Sequence, residues 1–183
     1  MEENIIIADK DQHIKIGKDA TDLMVSGATK LANIVKQTLG VDGKHIFLQH
    51  PAVGAPLSTK DGAQVAEWVV FRDKFENIGA EVVKFASRKC ALESGDGTTT
   101  TTILAEDLIR NGVAAVNSGM KARKVVKGMD MAKEAVVEFL KVKSKSITPE
   151  SPMVKKVAMV ASNYDEELSS MISTAVKDHG KET

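Results

Sequence analysis

Apolar side chains recur three and four residues apart at Ala20, Leu23, Met24, Ala28, Leu31, Ile34 and Val35. That period predicts an amphipathic helix over residues 18–39, stopped at Gly40, a residue suited to closing helices. Ahead of it, residues 4–16 set β-branched stretches among charges and predict one or two short strands. Two short apolar runs, 44–49 and 56–59, are separated by Pro51 and Gly54 and predict a small β-hairpin with an irregular loop. Helix resumes near Asp61. Beyond Arg72, a longer helix presents Phe75, Ile78, Val82, Phe85 and Lys89 on one face and breaks at Ser94-Gly95-Asp96-Gly97. A further helix runs from Gly97 to Asn111-Gly112, and another spans 122–142 with Val125, Val126, Met129, Ala132, Val136 and Leu140 inward. Pro149 and Pro152 punctuate the chain before two shorter helices, 153–160 and 165–176. The pattern predicts a mainly α fold with a few short strands.

Composition narrows the function classes. At 183 residues, 43% hydrophobic and 27% charged, the chain can bury one core and is not a disordered tail. Lys+Arg and Asp+Glu are 25 each, and this balance argues against a general nucleic-acid or membrane-surface binder. Residues 121–145 carry eight basic side chains against Asp130, Glu134 and Glu138, which reads as a solvated helix side with lysines lying over an apolar stripe. Cys90 stands alone, so no intrachain disulfide or multi-cysteine metal site is available, and it reads as a small buried hydrophobe. His13, His45, His50 and His179 show no ligand spacing. No apolar run approaches the roughly 20 residues of a bilayer span. The acidic start lacks the basic flank of a signal peptide, so the expected location is cytoplasmic.

The chemistry concentrates in Gly95-Asp96-Gly97-Thr98-Thr99-Thr100-Thr101-Thr102. Five threonines at a helix start cost about 2 kcal/mol of local propensity, which hydroxyls aimed at a ligand would offset. The glycines allow a sharp turn and close approach. The first helical turn then offers free N–H groups and the positive end of the helix dipole, a cradle for phosphate. A carboxylate at Asp96 would repel phosphate unless Mg²⁺ bridges the two, since that cation favours carboxylate and phosphate oxygens. An ordinary helix start with a polar face is the competing reading. Thr38-Leu39-Gly40 closes one helix, and Thr59-Lys60-Asp61-Gly62 places a carboxylate at the mouth of another. Gly40-Val41-Asp42-Gly43-Lys44-His45 lacks the spacing and the hydroxyl of a P-loop, which excludes the usual kinases and GTPases of that class.

Those blocks, with Asp73-Lys74-Phe75-Glu76-Asn77-Ile78-Gly79-Ala80, Gly119-Met120, Lys127-Gly128-Met129-Asp130 and Ala161-Ser162-Asn163-Tyr164-Asp165-Glu166, occur in order over about residues 13–180. Together they closely resemble the N-terminal part of the group I chaperonins, the GroEL family. The resemblance implies an ATP-driven folding machine of stacked homo-oligomeric rings that serves unfolded client proteins, with a co-chaperonin as a further partner. It implies a chaperonin equatorial-domain-like helical bundle with a small hairpin over 1–147 and the start of an intermediate hinge domain over 148–183, without the apical domain. By the same resemblance, Thr38, Leu39, Gly40, Val41 and Lys60 contact nucleotide, as do Gly95, Asp96, Gly97, Thr98, Thr99 and Thr100. Asp96 holds Mg²⁺; Thr38, Lys60 and Thr99 lie at K⁺; Asp61 orients the attacking water.

The chain departs from the family pattern at Val41, where proline is usual, in its first 12 residues, and in the loop 49–54. It also ends before the second catalytic aspartate of the family and before the segments that complete the base pocket. A truncated nucleotide-binding or subunit-interacting fragment without ATPase activity is therefore the alternative. The faces bearing Leu23, Leu31, Phe75, Val82, Phe85, Val126 and Leu140 are expected to need covering by those segments.

Overall fold

A computed structural model describes residues 13–40, 42–49 and 54–180. Helix α1 (Gly17–Val35) continues into a short 3₁₀ turn, Lys36–Thr38, before Gly40 takes a φ of 78°. Strands β1 (Ile46–Leu48) and β2 (Leu57–Thr59) pair antiparallel, Ile46 opposite Thr59. Next come α2 (Gly62–Trp68), α3 (Lys74–Ser94), α4 (Thr98–Asn117) and α5 (Ala122–Lys143), then α6 (Pro152–Ala161) and α7 (Glu166–His179). The mainly helical class with one hairpin agrees with the hydrophobic pattern. Of the strands expected over 4–16, residues 4–12 lie outside the described residues, and 13–16 form none.

The chain divides into two compact units, Met1–Gly128 and Met129–Thr183, with the division inside α5. In the first, α1 and α3 cross at unusually close range. A Cβ added at Gly27 would overlap the Glu76 carbonyl, and one added at Gly79 would overlap that of Met24. Only hydrogen at both positions lets the backbones touch. Around this crossing Ala28, Leu31, Val35, Val65, Ala66, Ala80 and Val83 form the core, with Phe71, Ala105 and Ile109 packed against it.

The close crossing reverses the expected face of α3. Its buried residues are Gly79, Ala80, Val83, Lys84 and Ser87, whereas Phe85 is 67% exposed and Ile78 and Val82 are nearly half exposed. Small side chains face α1 because larger ones would push the helices apart. Helix α4 passes Gly112 and continues to Asn117, so that glycine is a helical position and not a stop. On α5, none of the six residues expected inward is buried; Val125 and Met129 are half-buried, and Val126, Val136 and Leu140 are exposed. Among the faces expected to need covering, Leu31 is fully buried within this chain, Leu23 and Phe75 are half-buried, and the rest are exposed.

Charged contacts brace the first unit. Asp73 caps α3 by accepting from the N–H groups of Phe75 and Glu76, each at 2.9 Å. Glu76 accepts from Ser26 Oγ at 2.9 Å and from Lys30 on α1. Glu67 of α2 receives both Nε and Nη2 of Arg88 at 2.6 Å. These partners hold three carboxyls below their ordinary values: Arg88 acts on Glu67, the Glu76 and Phe75 amides on Asp73, and Lys30 with Ser26 on Glu76. A depressed folded value gives stability that is present above the ordinary value, 4.5 for Glu and 3.8 for Asp, and lost as pH falls through the folded one. The melting temperature is therefore expected to fall steadily below about pH 4.5, with a shallower fall in Glu76→Gln. Equal melting temperatures at pH 6 and pH 3 would contradict this, at roughly constant ionic strength.

In the second unit, α6 starts at Pro152 behind a Ser151 cap, and α7 starts behind Asp165, whose Oδ1 accepts from Leu168 N–H at 2.9 Å. The turn between them holds Asn163 and Tyr164 at φ 55° and 66°. Ala158 and Ser169 are buried in this hairpin.

Candidate functional site

The turn from α3 into α4 is built from two left-handed glycines, Gly95 at φ 72° and Gly97 at φ 82°, with Asp96 between them. Asp96 Oδ1 accepts from the Gly97 N–H at 2.6 Å. The N-cap of α4, Gly97, has no side chain to cap the helix, and the first backbone bond runs from Thr101 N–H to the Gly97 carbonyl at 2.9 Å. The amides of Thr98, Thr99 and Thr100 lie ahead of that bond, at the positive end of the helix dipole. Two α3 side chains hold the turn from beneath: Ser87 Oγ donates to the Thr98 carbonyl at 3.3 Å and Cys90 Sγ to the Asp96 carbonyl at 3.1 Å. Cys90 is thus half-buried and polar in use, not the buried hydrophobe expected of it. Its place three residues after Ser87 on α3 puts both on one face.

A second turn reaches the same place from the hairpin. Thr59, buried at the end of β2, accepts the Asp61 N–H on Oγ1 at 3.0 Å. Asp61 then caps α2, its Oδ1 accepting from Ala63 N–H at 2.9 Å. A Cβ added at Gly62 would overlap Thr99 Oγ1 and stand 3.0 Å from both Thr38 Oγ1 and Val35 Cγ1. The end of α1, the start of α2 and the start of α4 therefore meet at Gly62. Gly62 serves by having no side chain where three elements converge, a role that no local pattern in the sequence marks.

The third turn is the end of α1. Thr38 is buried, with Oγ1 donating to the Val35 carbonyl at 2.8 Å. Leu39 and Gly40 follow on the exposed side, where Gly43 N–H closes the turn onto the Gly40 carbonyl at 3.0 Å. Val41 lies outside the described residues. Thr38 and Thr99 are thus brought together, with Asp61 one residue from their meeting point and the Gly95–Thr100 turn continuous with it. Lys60, Asp61, Asp96 and Thr100 are exposed.

In the Gly95–Thr100 turn the donor set is one carboxylate at Asp96, threonine hydroxyls and backbone amides, and the Asp61 carboxylate at the neighbouring turn is committed to capping α2. Among the described residues no group of three or more His, Cys, Asp or Glu is placed to hold a metal by itself. Hard oxygen donors with a single carboxylate suit Mg²⁺ that arrives with phosphate and keeps several waters. Among the described residues no helix is long and apolar enough to cross a membrane.

A sequence profile described as the TCP-1/cpn60 chaperonin family matches residues 31–183, and the chain belongs to that family. The fold is similar to that of the chaperonin gp146 from the bacteriophage EL 2 (Pseudomonas aeruginosa), solved in the presence of ATP-BeFx. The TM-score is 0.74 at 24% identity, over 88% of this chain and 28% of that one. A group III chaperonin in the open state matches with TM-score 0.74 at 23% identity, over 88% of this chain and 32% of that one. The chain thus spans about three tenths of the length of these chaperonins.

Proposed function

We propose that this chain is the N-terminal, ATP-binding part of a group I chaperonin subunit, whose complete form binds and hydrolyses ATP to assist protein folding. The observation that carries this reading is the convergence of Thr38, Gly62 and Thr99 beside Asp61 and the Gly95–Thr100 turn, in a chain of the chaperonin family. Seven blocks in order over about residues 13–180 support the group I assignment. Residues 1–147 belong to the equatorial domain and 148–183 begin the intermediate domain. The partners are further copies of the subunit in a ring, unfolded clients and a co-chaperonin.

In this reading the amides of Thr98–Thr100, with Gly95 and Gly97, receive phosphate oxygens at the start of α4. Thr38, Leu39, Gly40, Val41 and Lys60 line the remainder of the nucleotide. Asp96 is the carboxylate for Mg²⁺, and Thr38, Lys60 and Thr99 supply oxygens for K⁺. When bound, the cations neutralise phosphate charge. Asp61 orients the water that attacks the γ-phosphate, and phosphoryl transfer of this kind relies mainly on such positioning.

Calorimetric titration of ATP with and without Mg²⁺, beside a phosphate-release assay, tests the proposal. Mg²⁺-dependent binding with turnover in the complete subunit supports it; binding without turnover favours the interaction fragment; no binding overturns the site. Asp61→Asn keeps a good helix cap, so α2 stays formed. Mg-ATP affinity is expected within about twofold of wild type while turnover falls about a hundredfold. Loss of affinity with unchanged turnover per bound nucleotide would contradict the role of Asp61.

A further inference from the structure

Helix α3 buries Gly79, Ala80, Val83 and Ser87 against its neighbours, and among them an ammonium group, with Lys84 only 2% exposed. Packing alone would be served by leucine or methionine. A buried ammonium needs acceptors, and those of Lys84 Nζ are the Val69 carbonyl at 2.7 Å and Glu81 Oε1 at 2.8 Å. Val69 is the residue that ends α2. The cation therefore sits at the negative end of the α2 dipole and holds the carbonyl just past the last turn. Glu81 also meets Arg88, its Oε2 lying 3.4 Å from Nη1, and Arg88 grips Glu67 of α2 with two bonds of 2.6 Å. One linked set of charges on α3 thus ties the end of α2 at two points.

The other end of α2 carries Asp61 and Gly62. The helix has seven residues and is about 10 Å long. Its middle is seated in the core by Val65 and Ala66. A tilt permitted at Val69 is transmitted along so short a rod to Asp61. Further along α3, Ser87 and Cys90 hold the carbonyls of Thr98 and Asp96. Lys84, Ser87 and Cys90 are spaced by three on one helix, so a single face of α3 grips both halves of the site, each by its own contacts.

We propose that Lys84 is a positioning residue for ATP hydrolysis, setting Asp61 through α2 while leaving nucleotide affinity to the separately held turn before α4. This rests on the reading of Asp61 given above. The test compares Lys84→Met and Ser87→Ala with wild type in the complete subunit. Lys84→Met is expected to lower kcat about tenfold with the Kd for Mg-ATP within about twofold. In nucleotide-free protein, the Val65 amide, which donates to the Asp61 carbonyl at 3.0 Å, should exchange about tenfold faster while the Thr101 amide is unchanged. Ser87→Ala is expected to do the reverse, weakening affinity and leaving Val65 protection intact. If Lys84→Met does not fold, Glu67→Gln at the half-exposed end of the network should give the same split at smaller size, about threefold in kcat. A proportional loss of kcat and affinity, or unchanged Val65 exchange, overturns the proposal. A wild-type subunit that binds no ATP overturns the reading of the site instead, and amide exchange still decides whether Lys84 sets α2.

Discussion

Replacing Asp96 by alanine is expected to weaken binding of ATP in the presence of Mg²⁺ by about a hundredfold, which is about 2.8 kcal/mol. Binding of ATP without the metal should change little. The Gly95–Thr100 turn holds no second carboxylate, and the other carboxylate of the site, Asp61, is engaged in capping α2. Asp96 has a second duty, because its Oδ1 accepts the Gly97 N–H and helps shape the turn. Asp96→Asn separates the two duties: the amide oxygen can keep the Gly97 bond while the charge is removed. If Asn restores Mg²⁺-dependent affinity to within about twofold, the residue shapes the turn and does not hold the metal. If Asn and Ala fall together, the charge is what matters.

The parts of this molecule that local chemistry decides were legible in the sequence. Gly40, Gly95 and Gly97 end or begin helices where the chain needs a left-handed residue, and all three were placed correctly as turns. The start of α2 at Asp61 and of α4 at the threonines follows from capping and glycine chemistry, and β1 and β2 follow from two short apolar runs. The convergence of the three turns was not legible. It depends on Thr38, Gly62 and Thr99 meeting across separations of more than twenty residues, and no local period encodes that.

Burial was misread where shape overrides hydrophobicity. On α3 the large apolar residues at 78, 82 and 85 form the stronger stripe, yet the glycine and alanine side is the buried one. A moment that counts apolar side chains gives glycine little weight, although glycine allows the closest approach of two backbones. Gly112 was misread for the converse reason. A glycine often ends a helix, but here tertiary context carries α4 through it to Asn117. Lys84 is a third case, a charged residue held inside by one acceptor from its own helix, Glu81, and one that the fold brings to it, the Val69 carbonyl.

Gly79→Ala should destabilise the first unit strongly, although alanine is the better helix former by up to about 1 kcal/mol. The added methyl would overlap the Met24 carbonyl, a backbone atom of α1 with no rotamer through which to escape. Relief requires the helices to part, loosening contacts of Ala28, Leu31, Ala80 and Val83 in the core between them. Overpacking of this kind costs about 3 kcal/mol, leaving a net loss of about 2 kcal/mol after the propensity gain. For a domain near 100 residues that lowers the melting temperature by roughly 10 °C. Gly27→Ala meets the Glu76 carbonyl from the other side of the same crossing and should behave alike. The double variant should cost clearly less than the sum, because helices already separated by one methyl accommodate the second. Gly128→Ala on α5 is the control: beyond its chain neighbours and its own helix backbone, no described atom lies within 4 Å of the added Cβ, so only the propensity term remains and stability should hold or rise. Thermal melts of the four variants distinguish these outcomes. If Gly79→Ala proves as benign as Gly128→Ala, α1 and α3 do not cross in backbone contact, and the inverted burial of α3 loses its cause.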